Sequence, residues 1–520
     1  MSHWSSASAA CFAIAAVMIS ALALSCGSGS GYPPDVDEAL AASGENSAEL
    51  EKVIEHYTAE DDSLKLEAVY FLIGNMEGHG FVTYRLHDTN DVDIEFNPLD
   101  YENYDKLLVG VDSLEDAVGG IDFDRKDFFE DCETIEAEFL ISQIDLAFEA
   151  WREKPWAGYL TFEQFCEFVL PYRGSNEPLE NWRGMFFEKY ENLPDGMADP
   201  SDPVEAARLI NEDIITYFGF DPRYYYHPTD QGLEEMLASG LGRCEDMTNL
   251  TIYAMRANGL AVTSDYTPAW ADQGNNHAWN AILIPGGRVV PFMGAEASPG
   301  EYNLTGKAAK VYRKTFGKQH ANLIFQENKQ DSVPGWLKGK SYVDVTAEYM
   351  PTVSPTIQLA RPVPDSVDIA YVCVFNSGDW KAIDWGRVEG DQVTFRDLGT
   401  AVILLPALYL DKEIVGWGAP FTLSESVAPR QFIADTTSMT SLALSNFVGT
   451  NKKNIAVAAG TEYALSYWDD GWQEIGREVA GDRPLEFDSV PVGGLYRLTF
   501  EGSDHEERVF SLEDTALVWW

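Results

Sequence analysis

Helical periodicity runs through the first part of the chain and stops for good near residue 336, and this switch constrains the fold more than any single motif. Before it, "TIEAEFLISQIDLAFEAWREKPW" places Leu140, Ile144, Ala147 and Trp151 on one helical stripe, which the following Pro-Trp ends. "SLKLEAVYFLIGNM" is a second, strongly apolar helix. Between the two, "FVTYRLHD" and "DVDIEF" alternate and suggest a small hairpin. "LPYRGSNEPLENWRGMF" reads as a packed turn between helices, with the wall of a groove as the alternative. Beyond residue 336, "SYVDVTAEY", "PTIQLARP", "IAYVCVF", "QVTFRDL" and "AVILLPALYL" come at sandwich spacing with turn residues between them. A second β texture runs from "NIAVAAGTEYALSYW" to "ERVFSL". A chain of 520 residues exceeds one hydrophobic core, so several domains are expected.

The middle of the chain changes from helix to strand within a short span. "DPVEAARLINEDIITYFGF" is a capped helix, and "CEDMTNLTIYAMRANG" is another. The latter carries Met247, Leu250, Thr251 and Ala254 on one face, with Gly259 where a C-terminal cap belongs. "LAVTSDYTPAW", "HAWNAILIP" and "RVVPFM" follow as strands, the last two joined by a Pro-Gly-Gly turn. Cys244 opens the helix and His277 opens a strand. A thiol at a helix N-terminus with an imidazole on a rigid strand is what a Cys–His hydrolase or acyltransferase needs. Glu245 and Asp246 suit the first turn of the helix but oppose a thiolate beside them. The alternative for Cys244 is a small buried hydrophobe. Cys132 lies among carboxylates, Cys166 in an aromatic-rich helix and Cys373 on a β-strand, where a packing role is the natural reading. Cys132 and Cys166 could pair, but four thiols outside the leader are too sparse for a disulfide scaffold.

Residues 1–26 read as a secretory signal: "ACFAIAAVMISALALSC" is an apolar stretch ending in small residues. "LALSC" before "GSGSGYPP" looks like a bacterial lipobox with Cys26 as the lipidated residue, although Ala23 stands where Leu is usual and the leader lacks Lys and Arg. Export to the cell envelope follows, with a lipid anchor as the sole membrane attachment. Asp and Glu number 84 against 36 Lys and Arg, for a formal net charge of −48, which repels nucleic acid and excludes it as a partner. No phosphate-cradling glycine loop, zinc pattern or serine elbow is present, and no cofactor is expected. "DTNDVDIE" lacks the spacing and glycine of a calcium loop, and neither His227 nor His320 has a partner at metal-ligand spacing.

"GRCEDMTNLTIYAMRANGLAV", then "DYTPAW" and "HAWNAILIPGGRVVPF", resembles the core of the transglutaminase-like superfamily, papain-like thiol enzymes found among bacterial exported proteins. The resemblance is specific over 235–297 and extends across 201–335. It implies an α+β multidomain protein with a helical N-terminal region, a transglutaminase-like (papain-like) core and C-terminal β-sandwich-like domains. The expected boundaries are a signal at 1–26, a flexible tether at 27–48, the helical region at 49–200, the core at 201–335, and β units at 336–440 and 441–520. Carried over by position, Cys244 is the nucleophile and His277 the general base. The family's orienting Asp falls on Met293, which leaves Glu296 as the nearest carboxylate, or Asn280 or a backbone group, to hold the imidazole. Asn211 or Trp270 would join the Cys244 amide as an oxyanion donor. The expected substrate is a protein or peptide, with hydrolysis favoured over amine transfer. The rival reading is an inactive scaffold whose β units bind peptide or glycan.

Overall fold

The computed structural model describes residues 31–59, 62–327, 333–424, 428–501, 507–513 and 516–520. The leader and Cys26 lie outside them. Among the described residues no helix is long and apolar enough to cross a membrane.

The N-terminal region is built on helices at Pro34–Ala42, Ser47–Ala59, Ser63–Asn75 and Ala137–Glu153. Leu50, Val53, Leu72, Ile73, Leu140 and Ile144 fill the space between them and are removed from water. Two expectations are corrected here. The tether is not extended through residue 48, because Val36 and Ala39 of the first helix are buried against this core. "FVTYRLHD" does form a strand, Gly80–Asp88, but its main partner is Ile121–Glu130, and "DVDIEF" meets only its end, at the antiparallel His87–Asp93 bridge. The antiparallel pair thus closes around a helix, Tyr104–Val118.

The core sheet is antiparallel, with strands in the order Arg288–Phe292, His277–Ile284, Val262–Thr267, Tyr312–Lys314 and Tyr342–Asp344. Its last strand lies beyond residue 335, so the core extends to about Tyr349, whose hydroxyl bonds Asp265 within it. Against the sheet packs the helix Cys244–Arg256, which is buried on every side from Asp246 onward. Trp182 stacks on its Tyr253 with ring centroids 4.9 Å apart. Such a helix cannot be a surface element; the helical region covers the side that the sheet leaves open.

The first β unit is an eight-stranded sheet whose strand Ile369–Asn376 is buried on both faces. Along Ile369–Asn376, Ala370, Val372 and Val374 pack with Ala269, Ala271 and Ala309 of the core. The alternate residues Tyr371, Cys373 and Phe375 pack with Trp468, Leu495 and Val509 of the second unit. That two-sided burial explains the unbroken apolar run "IAYVCVF". Strand Asp435–Leu444 pairs with Leu485–Val492, so the second unit begins by Asp435 rather than at 441.

Candidate active site

The thiol helix starts where the chain needs a glycine. A Cβ on Gly242 would meet the Asp246 Cβ at 2.6 Å and the Phe218 ring at 2.8 Å. Asp246 reaches back to accept the Arg243 amide at 2.9 Å and also takes the Gln231 amide at 3.0 Å, which closes the first turn. Cys244 is buried, and the backbone amide of Ala278 lies close enough to its sulfur to favour the thiolate. The thiol helix and the strand that begins at His277 therefore meet at the sulfur.

The two ionisable groups are both pressed toward their neutral forms. Burial, and then the Glu245 carboxylate, pushes the Cys244 thiol up to about 11, against the pull of the Ala278 amide. Burial drives the His277 ring down to about 4, with Glu245 opposing weakly. Glu245 itself is held by Lys314, which also donates to Ser175 Oγ at 2.7 Å. Cys132 is pushed up to about 12, first by burial and then by Glu130. Burial raises Cys166 and Cys373 strongly as well. All four described cysteines are free, and Cys244 is raised least.

No hydrogen bond joins Cys244 to His277. The ring's Nε2 bonds instead to the hydroxyl of Tyr302 at 2.9 Å. Trp270 stacks beside the same ring, with centroids 5.8 Å apart and planes 25° apart. Tyr302 also feels the fields of Glu296 and Cys244, behind the larger effect of burial, and all three keep it a neutral phenol.

Glu296 is exposed and makes no hydrogen bond to His277, so the expected carboxylate partner is corrected to a tyrosine. Met293 occupies the orienting slot because its side chain belongs to the core, at 1% exposure. Asn280 is committed elsewhere: it donates to the Thr248 carbonyl at 3.1 Å and accepts the Gly294 amide at 3.0 Å. Asn211 holds the same loop, donating one amide N–H to the Met293 carbonyl and accepting the Ala295 amide. The indole N–H of Trp270 has no partner among the described residues.

The loop that leads into His277 is held from the β units. Asn376 donates to the carbonyls of Trp270, Gln273 and Asn275 at 2.8–2.9 Å. Arg508 donates to the Ala271 carbonyl at 2.7 Å, Lys452 pairs with Asp272 at 2.7 Å, and the Thr450 carbonyl accepts the Gly274 amide at 2.9 Å. Neither this cradle nor Tyr302 stands at a spacing that the sequence marks. Among the described residues no cluster of His, Cys, Asp and Glu is arranged to hold a metal ion.

Residues 191–293 match the family model described as the transglutaminase-like superfamily. No curated protein matches the chain. Among solved structures, the crystal structure of red sea bream transglutaminase is similar at 10% identity and a TM-score of 0.21, over 86% of this chain and 77% of that one. The family match spans both the thiol at the head of a buried helix and the histidine at the head of the adjoining strand, and residues 191–293 are accordingly a domain of the transglutaminase-like superfamily.

Proposed function

We propose that this domain is a thiol enzyme that cleaves amide bonds of proteins or peptides through Cys244 and His277. One observation carries the reading: the Cys244 sulfur, at the head of the buried helix, lies close enough to the Ala278 amide, next to His277, for that amide to favour its thiolate. With both groups neutral at rest, His277 acts as a general base at the moment of attack, not as half of a standing ion pair. The Cys244 sulfur bonds to the substrate carbonyl carbon while its proton passes to the imidazole. The imidazolium then gives that proton to the leaving amine as the C–N bond breaks, leaving a thioester. Water, deprotonated by the same ring, releases a carboxylate and restores the thiol. The Cys244 amide and the Trp270 indole N–H are the donors for the oxyanion. Tyr302, bonded at Nε2, takes the orienting role and leaves Nδ1 to act as the base. Water is favoured over an amine as the acceptor because it is the abundant nucleophile at an exported site. The lipobox-like leader supports anchoring of the protein in the cell envelope through Cys26.

An activated ester tests the reading. With p-nitrophenyl acetate, a burst of nitrophenolate and an acetyl adduct on Cys244 by mass spectrometry are expected, and both are lost in Cys244→Ser. Adding a fluorescent primary amine measures the share of acyl group that escapes hydrolysis. Met293 in the orienting slot favours the scaffold reading, and acetylation spread over lysines with none on Cys244 would establish that instead.

A further inference from the structure

A cavity of about 280 Å³ lies where the helical region, the end of the thiol helix and the segment around residues 336–342 meet. Its wall carries Arg173, Arg256, Lys314, Lys338 and Lys340 against one carboxylate, Glu77. In a chain with 84 acidic and 36 basic residues, that is an unusual concentration of cations.

Three of the five have carboxylate partners. Arg173 is paired with Asp131 and Lys314 with Glu245. Lys340 pairs with Glu77 at 2.5 Å, a carboxylate it shares with Lys318 at 3.1 Å. The remaining acids near the wall are Asp230, which is paired with Arg243, and Glu167 and Glu177. Glu167 accepts the amides of Phe316 and Gly317, and Glu177 those of Gly174 and Ser175, so both are committed to backbone. His79 is neutral, pushed down by burial, with its Nε2 on the Phe316 carbonyl.

Among the described residues Arg256 and Lys338 are in no ion pair; Lys338 is exposed at the rim, whereas Arg256 is buried. Arg256 is 4% exposed, and its Nε and Nη1 donate to the carbonyls of Val262, Pro171 and Arg173. Its Nη2 has no partner among the described residues. Burial lowers this guanidinium to about 10, which still leaves it charged at neutral pH. On the same wall, the hydroxyl of Tyr342 is buried with no hydrogen-bond partner. A buried hydroxyl without a partner is costly inside a protein unless something accepts from it. A guanidinium edge, an ammonium and a phenol around one small polar cavity suit a group with several acceptor oxygens and a negative charge.

We infer that this cavity binds a small oxyanion, a carboxylate or phosphate group, through Arg256, Tyr342 and Lys338. The inference requires no chemistry at Cys244 and stands apart from the thiol reading.

The test uses the purified full chain, with inorganic phosphate and acetate titrated separately. Sodium chloride holds the ionic strength constant, since a chain of charge −48 responds to salt alone. The expected result is a saturable rise in melting temperature beyond the chloride control, and the arm that gives it identifies phosphate or carboxylate. Arg256→Lys also removes carbonyl contacts of the fold, so Lys338→Glu and Tyr342→Phe carry the test. Each should weaken the apparent affinity by about tenfold or more while leaving the melting temperature in chloride close to that of the parent. No shift beyond chloride in either arm, or an unchanged shift in both variants, would overturn the inference.

Discussion

At Cys244 the sulfur receives one stabilising amide and stands beside a carboxylate, in a site that burial has largely emptied of water. Its thiol, raised to about 11, should therefore alkylate slowly at neutral pH. The rate with iodoacetamide should climb about tenfold per pH unit up to that value, because the thiolate fraction does. Cys244 should still outpace Cys132, Cys166 and Cys373; equal rates would remove the basis for singling it out. Tyr302→Phe deletes the partner of His277 Nε2 and should slow acylation by roughly tenfold or more. Glu296→Gln should leave acylation nearly unchanged, since its carboxylate does not reach the ring. The histidine also leaves a signature in stability. Its folded ring, lowered to about 4, stays neutral while the unfolded ring, at 6.5, takes up a proton. Stability from this group is thus complete above pH 6.5 and is lost as pH falls toward 4. Comparing parent and His277→Gln by urea unfolding across that window should show a shallower acid loss in the variant.

The elements around the site assign the β units a task that their own strands do not announce. The loop between strands Val262–Thr267 and His277–Ile284 passes through Asn275, whose φ of +67° is left-handed, just before the histidine strand. Its carbonyls are satisfied by Asn376, at the end of a strand in another unit. Replacing Asn376 with Ala would leave the buried Trp270 carbonyl without this donor and should cost about 1–3 kcal/mol of stability. The same change should slow acylation at Cys244, because Trp270 and His277 flank the loop. Asn376→Asp, which keeps the shape but offers carboxylate oxygens to carbonyls, should fail to rescue the rate. A full-rate Asn376→Ala protein would show that the clamp supports the fold alone.

Across the whole molecule, charge dominates. A net charge of −48 repels itself most strongly where the Debye length is long. The melting temperature should therefore rise as sodium chloride increases from about 10 mM to about 500 mM, levelling off once the Debye length falls to a few ångströms. Anchoring is tested at the same scale. Cys26→Ser should move the protein from the membrane fraction to the soluble fraction, and a variant that still pellets after a high-salt wash would exclude the lipid anchor.

The sequence by itself determined what depends on short-range pattern. The 3.6-residue stripe of Leu140, Ile144 and Ala147, the thiol at a helix start, the histidine at a strand start and the change to strands after residue 336 are all set by neighbours a few positions apart. Tertiary structure decided the rest, because it depends on contacts between distant segments. Met293 turned inward since the core had a space for it, and Tyr302 reached the ring from a loop with no periodicity. The fate of Cys244 belongs to the same class. Its helix position favours a thiolate, but burial, which local sequence does not specify, outweighs it and leaves a neutral thiol beside a neutral imidazole.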